Sequence, residues 1–318
     1  MSETPLYDRV AVIGLGLIGS SLCHRMKRDG LAGHVAGHAR SAATRDTAMK
    51  SGFLDSGHDT AAEAAADADL IVLCVPVGAN AAVAEAIGPS LKSGATVTDV
   101  GSVKMAVIRD VGPHLPDGVH LVPGHPVAGT EHSGPESGFP ELFEDRYCIL
   151  TPAAGTDQKA VDRVSDLWQR AGSNVEILDA HHHDRVLGIT SHLPHLIAYT
   201  IVGTASDLEH QLRREDTENG DLIETREVIK YSAGGFRDFT RIAASDPVMW
   251  RDIFLNNREA VLELLGRFVE DLTALQRSIR WGEGDALEDF FTRTRAVRRD
   301  VIDMKQAGSF NPTEREEE

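Results

Sequence analysis

Gly14-Leu15-Gly16-Leu17-Ile18-Gly19 stands directly behind the apolar run Val10-Ala11-Val12-Ile13 and opens a helical pattern over Ser20–Arg28. Few turns constrain a fold as tightly. Glycine at the first position permits a sharp strand-to-helix turn. At the second it lets a pyrophosphate approach the backbone, and at the third it lets the helix pack close to the strand. The helix that follows starts with free N–H groups and the positive end of its dipole. Gly14, Leu15, Gly16, Leu17, Ile18 and Gly19 are therefore expected to bind a dinucleotide. A glycine-rich turn without a ligand is the alternative.

The rest of the first half agrees. Strands are expected at Arg9–Ile13, His34–His38, Leu70–Val75, Thr96–Val100, His120–Val122, Tyr147–Thr151 and Val175–Leu178. Helical patterns lie between them, at Ser41–Ser51 and Ala79–Ile87 among others. Continuous apolar runs such as VAVI and LIVLCV suit strands buried on both faces of a parallel sheet. The fold class expected is α/β, a Rossmann-type doubly wound parallel sheet over residues 1–179. An all-α domain is expected over 180–307, followed by a disordered acidic tail at 308–318.

In the helical half, Asp246-Pro247 is a helix start with proline at the first helical position. Phe254, Val261, Leu265, Phe268, Leu272, Leu275 and Ile279 then fall in steps of seven, four and three, either an internal core or a subunit interface. Glu209–Asp221 reads as an exposed, turn-rich insertion. His181-His182-His183 reads as exposed at a helix start.

The formal charge of −17 argues against a nucleic-acid partner, whose phosphates call for Lys and Arg. Cys23, Cys74 and Cys148 lack metal-ligand spacing, so no metal is expected, and inert thiols suit a reducing compartment. The N-terminus carries no signal pattern, and no apolar run reaches the ~18 residues of a membrane span. A cytoplasmic protein with no membrane partner is expected.

The cofactor is read from the second strand. An Asp or Glu there would bond the ribose 2′-OH of NAD. Here the strand ends in Ala39-Arg40-Ser41. Arg40 and Ser41 suit a 2′-phosphate, which favours NADP or use of both cofactors. Arg40 stacked on the adenine would suit NAD as well. Val75 and Pro76 close the fourth strand on the ligand-binding edge of the sheet. Ser102 closes the next, where it reaches a ligand or caps the following helix. His125, between Gly124 and Pro126, comes at the following strand tip. A neutral imidazole there can take the proton an alcohol loses as it gives hydride to a nicotinamide. A structural histidine bonded to loop carbonyls is the alternative.

The stretches VIGLGLIGSSL, DVGSVK, GHPVAGTEHSG, SHLPH and GGFRDFTRIAASDPVMWRDIF, spread from residue 12 to residue 254, resemble the prephenate/arogenate (cyclohexadienyl) dehydrogenase family. The resemblance implies NAD(P)-dependent oxidation of a ring hydroxyl, loss of the ring carboxylate as CO2, and aromatisation. Prephenate would give 4-hydroxyphenylpyruvate and arogenate tyrosine. It implies that His125 accepts the hydroxyl proton and that Ser102 bonds that hydroxyl or His125. The all-α domain would be the substrate-binding and dimerisation domain: His195 would contact the substrate side chain, with Pro194 kinking its helix, and Arg241 would grip a carboxylate, a surface salt bridge being the alternative for Arg241. Gly234 and Gly235 are expected in a tight turn whose N–H groups face the ligand. Thr130, Glu131 and Asp238 would form an ionic network that positions Arg241 or gates the pocket. Trp250 would close the pocket within a homodimer, a core aromatic being the alternative. His192 is expected to be structural. Two rival readings are a β-hydroxyacid-type dehydrogenase using Lys230, and a non-catalytic NAD(P)-binding sensor.

Overall fold

The computed structural model describes residues 4–130, 132–219 and 231–303. It forms two compact units divided after Val261, the second being Leu262–Glu318.

The first unit is built on two sheets. Strands β1 (Tyr7–Ile13), β2 (Ala32–His38), β3 (Ser56–His58), β4 (Leu70–Leu73), β5 (Thr96–Asp99) and β6 (His120–Leu121) form one parallel sheet in the order 3-2-1-4-5-6. This is the doubly wound order, whose reversal between β1 and β4 opens a crevice at the carboxyl ends of the strands. Both faces are covered. Val10, Val12 and Val72 join one core with Leu22 and Met26 of α1 (Leu17–Arg28). Ala11, Ile13, Ile71 and Leu73 face the other core. The opposite sides taken by successive residues explain why these strands read as unbroken apolar runs. The short β3 has no apolar signal and escaped the sequence reading.

The second sheet is a departure. After β6, Pro123 supplies no N–H for the ladder, and the chain leaves the parallel sheet. Strand β7 (Gly124–Pro126) pairs antiparallel with β8 (Tyr147–Leu150), which pairs parallel with β9 (Asn174–Ile177). The runs at Tyr147–Thr151 and Val175–Leu178 therefore do not extend the parallel sheet, and His125 lies beside it rather than on its edge.

Between these strands run α2 (Ala42–Lys50), α3 (Ala61–Ala65), α4 (Asn80–Ile87), α5 (Lys104–Val111) and α6 (Gln158–Arg170). Helices follow β9: α7 (Ala180–Leu187), a π-helical turn at Gly188–His192, α8 (Leu193–Asn219), α9 (Gly234–Thr240) and α10 (Pro247–Asn256). Two more are α11 (Arg258–Trp281) and α12 (Gly284–Asp303). Asp246 caps α10 as expected, accepting the N–H groups of Val248 and Met249.

The structure bears on three further expectations. Glu209–Asn219 continues α8 instead of forming turns, because Glu, Gln, Leu and Arg favour helix whatever their polarity; Gly220 and Asp221 lie outside the described residues. The apolar seam is split between α10, which carries Phe254, and α11, with Asn257 between them. Along α11, Leu272 and Ile279 are exposed, so they are not an internal core. The helical stretch Ala180–Gln211 is also long and apolar enough, by length and composition, to cross a membrane. That stretch nevertheless buries His183, Asp184 and His192 in a polar network described below. The tail at 308–318 lies outside the described residues.

Candidate active site

The glycine turn is shaped as its spacing requires. Gly14 has φ +104°, and a Cβ there would sit 2.3 Å from the Cys74 carbonyl oxygen. A Cβ on Gly19 would sit 2.0 Å from the Gly14 carbonyl oxygen. Gly16 faces open space and precedes α1 with no side chain capping that helix. Open room over Gly16 beside uncapped N–H groups fits a pyrophosphate. Leu15 is buried, while Leu17 and Ile18 are half-buried in the first turn of α1. At the end of β2, Ala39 is buried, and Arg40 and Ser41 are exposed. Ser41 precedes α2 without using its hydroxyl as a cap. Val75 is half-buried and Pro76 exposed beyond the end of β4.

His125 is buried, and its polar surroundings are specific. Its Nδ1 lies 2.9 Å from Nε2 of His183, which is fully buried. Nδ1 of His183 lies 2.8 Å from Oδ1 of Asp184. The same carboxylate accepts the backbone N–H groups of Lys104 at 2.7 Å and Met105 at 2.9 Å. Asp184 thus caps α5 from 80 residues away. Ser102 does not cap that helix. Val103 occupies the cap position, and the half-buried Ser102 hydroxyl has no hydrogen-bond partner among the described residues, His125 included. Burial above all, then His183 and Lys104, holds the His125 imidazole well below its ordinary pKa, so it is neutral near pH 7.

Lys104 braces the start of β7. Its fully buried ammonium donates to Asp99 and to the Gly124 carbonyl. Asp99 accepts the N–H of Gly124 at 3.1 Å and of Gly101 at 2.7 Å. Burial raises the Asp99 carboxyl and lowers the Lys104 ammonium, while each holds the other's charge in place.

The helical wall follows from the same centre. Asn257 donates to the Asp184 carbonyl at 2.8 Å and to Nδ1 of His192 at 3.0 Å. His192 is fully buried and pushed down to about 4 by that burial, in keeping with a structural role. His195 is half-buried, stacks on Trp250 and donates from Nδ1 to the Ser191 carbonyl at 2.8 Å. The irregularity expected from Pro194 takes the form of the preceding π-helical turn, a feature often found at functional sites. Trp250 is buried in one cluster with Ile13, Leu73 and Val77, which places it at the ends of β1 and β4. Its indole N–H and Nε2 of His192 are buried without partners among the described residues. Arg241 is exposed, and its charge lowers the pKa of His195, second to burial among the lowering causes.

The remaining candidates are less closely tied in. Thr130 is half-buried, and its hydroxyl accepts the His132 N–H at 3.3 Å. Asp238 is exposed and forms no ion pair with Arg241 among the described residues. Gly234 and Gly235 open α9 rather than make a tight turn. Glu131 and Lys230 lie outside the described residues. Sequence reasoning missed His183, Asp184, Asn257, Asp99 and Lys104. It took all three neighbouring histidines as exposed, which holds for His181 and His182 but not for His183.

The model of the prephenate dehydrogenase nucleotide-binding domain matches residues 22–177, and that of its dimerization domain matches residues 179–293. The chain belongs to the prephenate dehydrogenase family. The cyclohexadienyl dehydrogenase of Zymomonas mobilis is 41% identical over 293 residues, covering 92% of this chain and 96% of that protein. The prephenate dehydrogenase of Bacillus subtilis is 30% identical, over 95% of this chain and 78% of that one. The crystal structure of Aquifex aeolicus prephenate dehydrogenase with hydroxyphenyl propionate and NAD+ superposes with a TM-score of 0.81 at 33% identity, over 95% and 99% of the two chains. This dehydrogenase therefore uses a nicotinamide cofactor and acts on a small cyclohexadienyl acid.

Proposed function

We propose that this oxidoreductase converts prephenate, arogenate or both to 4-hydroxyphenylpyruvate or tyrosine, in tyrosine biosynthesis. The observation that carries the reading is a neutral, buried His125 whose Nδ1 is engaged by His183, while Nε2 has no partner among the described residues.

A nicotinamide cofactor held by Gly14–Gly19 would supply the hydride acceptor for the ring carbinol carbon. Nε2 of His125 takes the hydroxyl proton as that carbon becomes a ketone. The bond to the ring carboxylate then breaks, CO2 leaves, and its electron pair aromatises the ring. The ketone oxygen ends as a phenol by recovering the proton from His125. Ser102, with a hydroxyl free of partners among the described residues, bonds the reacting oxygen. Arg241 binds a substrate carboxylate through its planar fork. His195 meets the substrate side chain, and Trp250 holds His195 in place. Thr130 borders the pocket with Asp238 and the N–H of Gly235.

Open room over Gly16 supports cofactor binding by Gly14–Gly19, with Val75 and Pro76 beside the nicotinamide half. The Arg40 guanidinium makes no hydrogen bond or ion pair among the described residues, and no acid stands beside it in Ala39-Arg40-Ser41. This favours NADP or dual use. A homodimer through the helical region is favoured by exposed Ile201, Val202, Leu272 and Ile279, since apolar surface of that kind is normally covered. Three free cysteines suit the cytoplasm.

Absorbance at 340 nm, followed with prephenate and arogenate against NAD+ and NADP+, tests the reading. Turnover is expected for at least one pairing, and none with any pairing overturns it.

A further inference from the structure

A carboxylate oxygen can only accept hydrogen bonds. That constraint passes along the chain of contacts behind His125. Asp184 receives two backbone N–H groups from the first turn of α5 and a third bond from Nδ1 of His183. His183 must therefore carry its hydrogen on Nδ1. A neutral imidazole has one N–H, so Nε2 of His183 holds a lone pair. The nitrogen facing it at 2.9 Å, Nδ1 of His125, must then be the donor. His125 has its single hydrogen on Nδ1, and its Nε2 is bare.

From this geometry we propose that His183 and Asp184 are positioning residues that hold the proton of His125 on Nδ1, leaving Nε2 as the nitrogen that takes the substrate hydroxyl proton. The proposal rests on the reading of His125 as proton acceptor. It explains why a histidine and an aspartate are buried together at the point where α7 meets the N-terminus of α5. Burial lowers the pKa of both imidazoles, so both are neutral, as the argument requires. Lys104 and His192 also face His125 electrostatically, and both disfavour charge on it. The path to Asp184 through His183 offsets that bias once His125 has taken a proton. Asp184 is oriented in turn by the backbone of α5, so the tautomer is set by main-chain N–H groups that cannot change their donor role.

The test uses the full-length enzyme labelled with 15N-histidine. In the wild type, the His125 resonances are expected to report Nδ1 protonated and Nε2 bare. Asp184→Asn places an amide NH2 among three donors, so His183 and His125 should shift toward the opposite tautomer. Loss of the correct tautomer is expected to lower kcat by roughly 10²- to 10⁴-fold, with substrate KM and cofactor affinity within about twofold. His183→Gln keeps a carbonyl acceptor for Nδ1 of His125 and is expected to retain more kcat than His183→Leu.

A wild-type His125 protonated on Nε2 overturns the proposal. So does a kcat within about twofold of wild type in both His183→Leu and Asp184→Asn. If those variants fail to fold, the wild-type resonance decides alone. His125→Asn separates the two claims. If it keeps near-normal kcat, the reading of His125 as proton acceptor fails, whatever the tautomer. If it is inactive while wild-type His125 is protonated on Nε2, only the positioning proposal fails.

Discussion

The imidazole of His195 lies flat on the indole of Trp250, with ring centroids 3.6 Å apart and planes 23° from parallel. Together with the bond from Nδ1 to the Ser191 carbonyl, this stacking fixes the ring and leaves Nε2 as its free position. Trp250→Leu removes the platform while the Ser191 bond remains. The expected outcome is a substrate KM raised about tenfold with kcat changed much less, equivalent to about 1.4 kcal/mol of lost ground-state binding. Trp250→Phe should recover most of it. Steady-state kinetics check this, and an unchanged KM in Trp250→Leu would leave Trp250 as core packing alone.

The same bond makes selectivity between the two substrates pH-dependent. Burial lowers the pKa of His195 below 6.5, and Arg241 lowers it further. Near pH 7 the ring is neutral, and Nε2 accepts a hydrogen bond, which suits the ammonium of arogenate. As pH falls through the lowered pKa, Nε2 gains a proton and donates, which suits the keto oxygen of prephenate. The ratio of kcat/KM for arogenate to that for prephenate should therefore fall on acidification below about pH 6.5. A ratio that stays flat from pH 8 to pH 5 would remove His195 from side-chain recognition.

Cofactor choice is expected to turn on Arg40. A charge-assisted bond to a 2′-phosphate contributes about 1.5–3 kcal/mol. Arg40→Ala should then raise the KM for NADP+ by roughly 10- to 100-fold and leave that for NAD+ nearly unchanged. An equal rise for both cofactors would mean that Arg40 stacks on the adenine they share.

The buried pair Lys104–Asp99 predicts a large effect on stability. Lys104→Met leaves the Asp99 carboxylate in the interior without its counter-charge, a loss of about 3–5 kcal/mol. Lys104→Met combined with Asp99→Asn removes both charges and should recover much of that. Urea unfolding of the two variants measures the difference. A single variant as stable as the wild type would contradict the ion pair.

Much of this protein was legible in short windows of chain. The glycine spacing after VAVI identified the turn, because the demands of a sharp strand-to-helix turn and a close pyrophosphate involve residues at most five apart. The apolar runs identified the parallel strands, because burial on both faces removes alternation. Asp246-Pro247 identified the start of α10 for the same local reason. His125 was singled out from its neighbours Gly124 and Pro126, although Pro123 sends its strand into a second sheet that no window revealed.

What escaped was every property that depends on distant partners. Successive helical residues point about 100° apart, so His181 and His182 face solvent while His183 turns inward; which of the three does so depends on where α7 packs. Asp184 can cap α5 only after 80 residues of chain have folded back onto it. The protonated nitrogen of His125 follows from that cap, through His183, and no spacing in the sequence encodes it. Residue types and local order specified the turn, the strands and the candidate base. The directions of hydrogen bonds, which exist only once remote segments meet, assigned that base its proton.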